Sequence, residues 1–285
     1  MGSGGQRSIK KRPPATVASK AAQPQAVQNL NPKTADEFSN LSADQQMQVI
    51  QKALSGKAAG SFHSYDTPFQ KFINNSGLDG KPQLVDSDTF DKADGIEVYR
   101  TVKTNQTYSA MEVATKVAKD DNFLFNADGG AAYGKGVYVT PSIQGSIVYG
   151  RGATGKNVAV MRFKIKPEAK IINYTDLINL YNSEKGIKGS IANKLDGAIP
   201  ADTSYFHKYD NHIALFALSK GYSVVTLAPG RDQKSIRRNM IGNDTYTMIL
   251  SRKAVIMDEN IKTRARKPRT LGYRFSDFRT NGKVK

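Results

Sequence analysis

The run Gly134-Lys135-Gly136-Val137-Tyr138-Val139-Thr140-Pro141-Ser142-Ile143-Gln144-Gly145-Ser146-Ile147-Val148-Tyr149 is the most informative part of this 285-residue chain. It opens on a glycine-flanked turn, Gly134-Lys135-Gly136. Val137-Tyr138-Val139-Thr140 follows, and its β-branched and aromatic residues have the composition of a short strand. A helix-like run then leads to Tyr149, eleven positions after Tyr138. A strand, a turn and a helix in this order bring two aromatic rings together, and such a pair can hold a flat heteroaromatic ring between them.

The segment resembles the nicotinamide-binding stretch of ADP-ribosyltransferases, nearest to the poly(ADP-ribose) polymerase and diphtheria-toxin branch. In that branch a GKG-aliphatic-Tyr strand is followed, at the same spacing, by Ser-x-x-Tyr, here Ser146-Ile147-Val148-Tyr149. The likeness is close over these sixteen residues and looser over 95–261. It implies NAD as substrate, with Tyr138 and Tyr149 sandwiching the nicotinamide, Ser146 hydrogen-bonding its carboxamide, and Gly136 part of the motif that lines the pocket.

Arg100 is the candidate clamp for the dinucleotide. It stands in Val98-Tyr99-Arg100-Thr101-Val102, where its neighbours of the same parity are valines. An arginine in such a pattern is costly to bury without a partner, and its planar fork matches phosphate or ribose oxygens. The alternative is an edge-strand arginine reaching solvent. The resemblance supports the clamp: the arginine branch of the family carries an arginine on this first strand, whereas the polymerase branch has a histidine. Thr140 and Ser142 partly match a Ser-Thr-Ser run of the arginine branch that supports the fold around NAD; a strand end closed by Pro141 explains them equally well.

The family also places a glutamate before a late strand, where it holds a ribose hydroxyl and stabilises the developing cation. Here that strand is expected over 246–250, preceded by Gly242-Asn243-Asp244-Thr245 without a glutamate. Asp244 is the nearest carboxylate and the candidate for the role; Asn243-Asp244 as a simple turn is the other reading. Gly150-Arg151-Gly152-Ala153-Thr154-Gly155-Lys156 looks like a P-loop, but Asn157 stands where Ser or Thr is needed and no strand–loop–helix context surrounds it. His63, His207 and His212 lack metal-ligand spacing with nearby carboxylates, so no metal site is expected.

The chain has no cysteine, which excludes disulfides, thiolate metal sites and a cysteine nucleophile. No apolar run approaches the length of a membrane span, and the amino terminus lacks the pattern of a secretory signal. The net charge of +17 is uneven. Residues 1–33 hold six basic side chains and no acid, and residues 262–285 hold nine against Asp277 alone. Such basic ends attract phosphate backbones by counterion release, so nucleic acid or another polyanion is a candidate partner; solvated tails are the plainer reading. Tyr273, Phe275 and Phe278, interleaved with Arg274 and Arg279, suit base stacking or docking of the tail on the domain.

The expected fold class is α+β, with a split, mainly antiparallel β-sheet core of ADP-ribosyltransferase type. Residues 1–33 are expected as a disordered basic arm, 34–94 as a helical amino-terminal segment, 95–261 as the sheet domain and 262–285 as a disordered basic tail. Ser42 with Gln45 reads as a capping box, and 62–94 as short helices. Strands are expected at 96–102, 158–165, 169–172, 222–227 and, as one or two, at 246–256; helices at 109–120, 174–181 and 213–218, the last stopped by Gly221.

The resulting expectation is an NAD-dependent mono-ADP-ribosyltransferase of bacterial or phage type, acting in a bacterial cytoplasm or carried with a virion, on a protein or nucleic-acid acceptor. The alternative is a non-catalytic nucleic-acid-binding or virion-associated protein that keeps the fold. An RNA 2′-phosphotransferase is poorly supported by Arg100 alone. Alanine at Arg100 or Tyr138 is expected to abolish transfer and leave the melting temperature nearly unchanged.

Overall fold

The computed structural model describes residues 1, 30–56, 68–103, 108–119, 136–149, 158–199, 210–226, 246–265 and 278–284. Residues Met1–Leu30 and Asn31–Lys285 form separate units, and the account below concerns the second. In chain order its elements are α1 (Ala35–Ser39), α2 (Ala43–Ser55), α3 (Pro68–Ser76), β1 (Gln83–Val85), α4 (Ser87–Lys92), β2 (Ile96–Lys103), α5 (Ala110–Lys119), β3 (Val137–Val139), α6 (Ile143–Tyr149), β4 (Val158–Ile165), β5 (Ile171–Asn173), α7 (Tyr174–Lys185), α8 (Ile191–Ala198), α9 (Asp210–Ser219), β6 (Val224–Thr226), β7 (Thr247–Ile249), a 3₁₀ turn (Arg252–Ala254), β8 (Val255–Asp258), β9 (Asn260–Ala265) and β10 (Phe278–Lys283).

Among the described residues the strands make two sheets, of six and four strands. In the larger, β4 is central and buried along its whole length. β2 pairs antiparallel with all of it, while β8 and β9 pair with its two halves. The smaller sheet runs β3-β7-β6-β5. Antiparallel pairs dominate; β1 with β8 and β5 with β6 are parallel. The class is therefore mixed α+β, as expected. No helix among the described residues is long and apolar enough to cross a membrane.

Local chemistry sets the element ends. The Ser42 hydroxyl accepts from the Gln45 N–H while the Gln45 side chain accepts from the Ser42 N–H, a complete capping box at α2. Gly221, at φ +84°, turns the chain after α9. Gly95 turns it before β2 at φ +131°, and a Cβ there would stand 2.3 Å from the Ile165 carbonyl oxygen. Gly95→Ala is expected to cost about 2–3 kcal/mol through backbone strain and this clash, read as a lowered urea midpoint with unchanged slope.

Two boundaries differ from the sequence reading. The segment 62–94 is not wholly helical: β1 adds to the edge of β8, with Leu84 opposite Met257. The described helices and strand before residue 95 thus pack into the same body as the sheets, α2 against α8, and α1 and α3 against α9. Part of the expected tail is also structured, because β10 pairs antiparallel with β9 from Phe278 opposite Ala265 to Lys283 opposite Asn260. Residues 2–29 and 266–277 lie outside the described residues.

The larger sheet buries charge as well as apolar surface. On β4, Arg162 Nε donates to Asp258 Oδ2 at 2.6 Å and Nη1 to Asp91 Oδ1 at 2.7 Å, and the guanidinium lies over Phe90. Burial works against this charge, and Asp258 and Asp91 overcome it, so the Arg162 value is raised. Lys164 Nζ donates to the carbonyls of Asp91 and Ala93 at the end of α4. A second buried pair, Asp79 with Arg252, ties the chain before β1 to the 3₁₀ turn. His212, buried in α9, donates Nε2–H to the Ile199 carbonyl at 2.7 Å and has a structural role.

Candidate functional site

The two sheets meet where β2 and β3 share a single antiparallel pair. The Tyr99 N–H donates to the Thr140 carbonyl at 2.7 Å, and the Thr140 N–H to the Tyr99 carbonyl at 2.9 Å. β3 then leaves β2 for β7, with Val137 opposite Ile249, Tyr138 opposite Met248 and Val139 opposite Thr247. At the parting, Arg100 Nη1 donates to the Tyr138 carbonyl at 3.4 Å. A side chain thus takes over where the ladder of main-chain bonds stops. Alternation along an antiparallel strand also turns the Thr101 N–H and carbonyl to the edge that Tyr99 uses for β3.

Tyr138 is buried in the middle of β3. Gly136 stands at the entry to that strand because β7 passes too close for a side chain: a Cβ would lie 2.3 Å from Met248 Cγ and 3.0 Å from the Ile249 carbonyl oxygen. The Thr140 hydroxyl donates to the Ser142 carbonyl at 2.7 Å, and the Ser142 hydroxyl accepts from the Gly145 N–H at 2.9 Å. Both side chains shape the turn from β3 into α6.

Helix α6 lies on β2, with Ile143 and Ile147 buried against Val160 and the half-buried Tyr99 packed beside them. Ser146 is on this covered face. Its hydroxyl donates to the Ile143 carbonyl at 2.8 Å and lies 2.9 Å from Thr101 Oγ1. Thr101 is the site residue that sequence reading missed; the available signal was a hydroxyl directly after the arginine, on the opposite strand face. Tyr99, next to both, donates its phenol to Glu97 Oε1 at 2.7 Å; burial and then this carboxylate push its value up.

The structure thus places Arg100, Gly136, Tyr138, Thr140 and Ser142 along the seam, with Ser146 under α6 on the face of β2 opposite the Arg100 side chain. Tyr149 closes α6, and its side chain lies outside the described residues, as do Asp244, His63, His207 and the P-loop-like stretch 150–156. Thr247, three positions after Asp244, pairs with Val139 next to the seam. In comparisons with protein-family models, characterised proteins and solved structures, nothing matches this chain.

Proposed function

We propose that the seam between β2 and β3 binds NAD and that the protein transfers ADP-ribose from it to a macromolecular acceptor. The observation that carries this reading is the parting of two strands at Tyr99 and Thr140, with the Arg100 guanidinium set in the opening against the Tyr138 carbonyl. A split in a sheet exposes backbone donors and acceptors at a concave edge, and concave edges with a few convergent polar groups are where small molecules bind. The resemblance of 134–149 to the nicotinamide-binding stretch of ADP-ribosyltransferases supplies the ligand.

The reaction breaks the bond between the nicotinamide nitrogen and C1′ of the ribose, and the electron pair leaves with nicotinamide. The transition state has oxocarbenium character, as in glycoside hydrolysis. An acceptor nucleophile then bonds to C1′ and loses its proton. In this reading Arg100 holds the diphosphate by charge-assisted bonds, Tyr138 and Tyr149 fix the plane of the leaving nicotinamide, and Asp244 places negative charge near the cation. Thr140 and Ser142 keep the turn from β3 to α6 in the shape that presents Ser146.

The test is incubation of the purified chain with NAD labelled in the adenylate half and a bacterial lysate. Protein and nucleic-acid fractions are counted separately, and free nicotinamide is measured. Transfer predicts label in one fraction and an equal amount of nicotinamide released. Binding of labelled NAD below millimolar concentration without either product would leave a binding protein; no binding at all would remove NAD from the reading.

A further inference from the structure

Strands β9 and β10 form a ribbon at one margin of the larger sheet, with β10 outermost among the described residues. Four of the ribbon's positions are basic, Lys262, Arg264, Arg279 and Lys283, and none is acidic. They are spread over both strands. Lys262 pairs with Thr280, Arg279 with Thr263 and Lys283 with Asn260, while Arg264 falls in the register shift next to Ala265 and Phe278. Glu259 and Asp277 flank the ribbon, one each, and leave it positive; Asp258, the next acid before it, is fully buried and taken up by Arg162. Elsewhere on the body the signs alternate, as where Lys185 meets Asp196 and Lys194 meets Asp44. Charge on an edge strand guards against pairing with another chain, and either sign serves for that. This does not account for Lys262 and Arg264, because β9 is an inner strand with β4 on its other side. Burial, and after it the charge of Arg162, hold the Lys262 ammonium below its usual range, so an anion brought to this face relieves a repulsion already present.

We propose that the β9–β10 ribbon is a binding surface for double-stranded DNA, which it holds through the phosphates without regard to sequence. Duplex DNA carries one negative charge per about 1.7 Å of axis, and each phosphate neutralised releases condensed counterions. A two-stranded ribbon is an element that the DNA major groove admits, whereas the deep, narrow major groove of an RNA duplex does not. The two register shifts add to the twist with which such a ribbon follows a groove. The surface is separate from the NAD seam, since β4 lies between the ribbon and β2, and it stands whether or not NAD is bound.

The experiment is fluorescence anisotropy of the full chain with a short DNA duplex and with the RNA duplex of the same sequence, from low to high salt. Affinity for DNA is expected to fall with salt at a logarithmic slope of about 3 or steeper, the effect of four phosphate contacts, and to exceed affinity for RNA by about tenfold. Arg279→Gln with Lys283→Gln should flatten the slope by about 2 and weaken binding at low salt by about tenfold or more. Lys185→Gln with Lys194→Gln removes the same charge from α7 and α8 and should leave the slope unmoved. NAD affinity, titrated alongside, should be alike in both pairs, so a failure of the NAD reading shows itself separately. No binding of DNA at low salt, equal binding of the RNA duplex, or equal flattening by the two glutamine pairs would overturn the inference. Should the β10 pair fail to fold, Arg279→Gln alone carries the comparison, with an expected flattening of about 1.

Discussion

Asp79→Ala is expected to destabilise the fold by about 3–5 kcal/mol, the cost of leaving a buried guanidinium without its carboxylate. Asp79 and Arg252 are almost fully buried. Arg252 donates its main-chain N–H to Asp79 Oδ1 at 3.0 Å and Nε to Oδ2 at 2.8 Å, while Nη1 reaches the Val117 carbonyl at 2.7 Å. The Ser251 hydroxyl donates to the Leu78 carbonyl beside them. One pair thus joins three segments distant in sequence: the chain before β1, the last turn of α5 and the 3₁₀ turn. Arg252→Ala should cost a similar amount, because the carboxylate is then the stranded charge. The double change Asp79→Leu with Arg252→Met should cost less than the two single losses combined, since no charge remains buried. Urea unfolding of the three variants measures this. A loss below about 1 kcal/mol for Asp79→Ala would mean that water reaches the guanidinium and that the pair is not the tie described.

The elements legible in the sequence are those whose pattern is local. Ser42 and Gln45 announced α2 because a capping box needs only four residues to declare itself. β2 and β4 were legible because eight-residue runs of apolar and β-branched character have few other uses. β1 was not, since Gln83-Leu84-Val85 is too short to show a period and owes its existence to an open edge of β8, more than 170 residues later. β10 was hidden by composition: a basic stretch reads as solvated chain until a partner strand supplies its hydrogen bonds. Arg162 and Lys164 on fully buried β4 follow the same logic, because only Asp258, Asp91 and the end of α4 make those charges tolerable inside.

The candidate site divides in the same way. Parity along β2 separated Arg100 from Tyr99 and Thr101, and spacing along 134–149 linked Tyr138 to Ser146, both of which are local statements. That the Arg100 guanidinium meets the Tyr138 carbonyl follows only from the course of β3, which binds β2 through one pair and then joins β7. The hydroxyl contact of Thr101 with Ser146 spans 45 positions and depends on the packing of Ile143 and Ile147 under Tyr99, so no sequence window contains it.

Arg100→Ala is expected to lower kcat/KM for nicotinamide release by about a hundredfold or more, while its melting temperature falls only slightly. The two effects separate because the arginine does two unequal jobs. Within the protein its bond to the Tyr138 carbonyl is long, at 3.4 Å, and a bond of that kind contributes about 1 kcal/mol at most. Towards a diphosphate its fork makes paired, charge-assisted bonds, and a hundredfold loss corresponds to about 2.7 kcal/mol. Arg100→Lys should recover little activity, since an ammonium is a compact point charge without the planar fork that meets two phosphate oxygens side by side. Tyr138 does not separate in this way. The sequence suggested that its alanine variant would keep its stability, but the ring is buried in the centre of β3, and truncating it should cost about 3–5 kcal/mol in packing alone. Tyr138→Phe is the informative change there: it keeps the ring face that the nicotinamide would stack on, and activity should persist. An Arg100→Ala protein that releases nicotinamide at the wild-type rate would detach the guanidinium from the chemistry and leave it as the residue that closes the end of a split ladder.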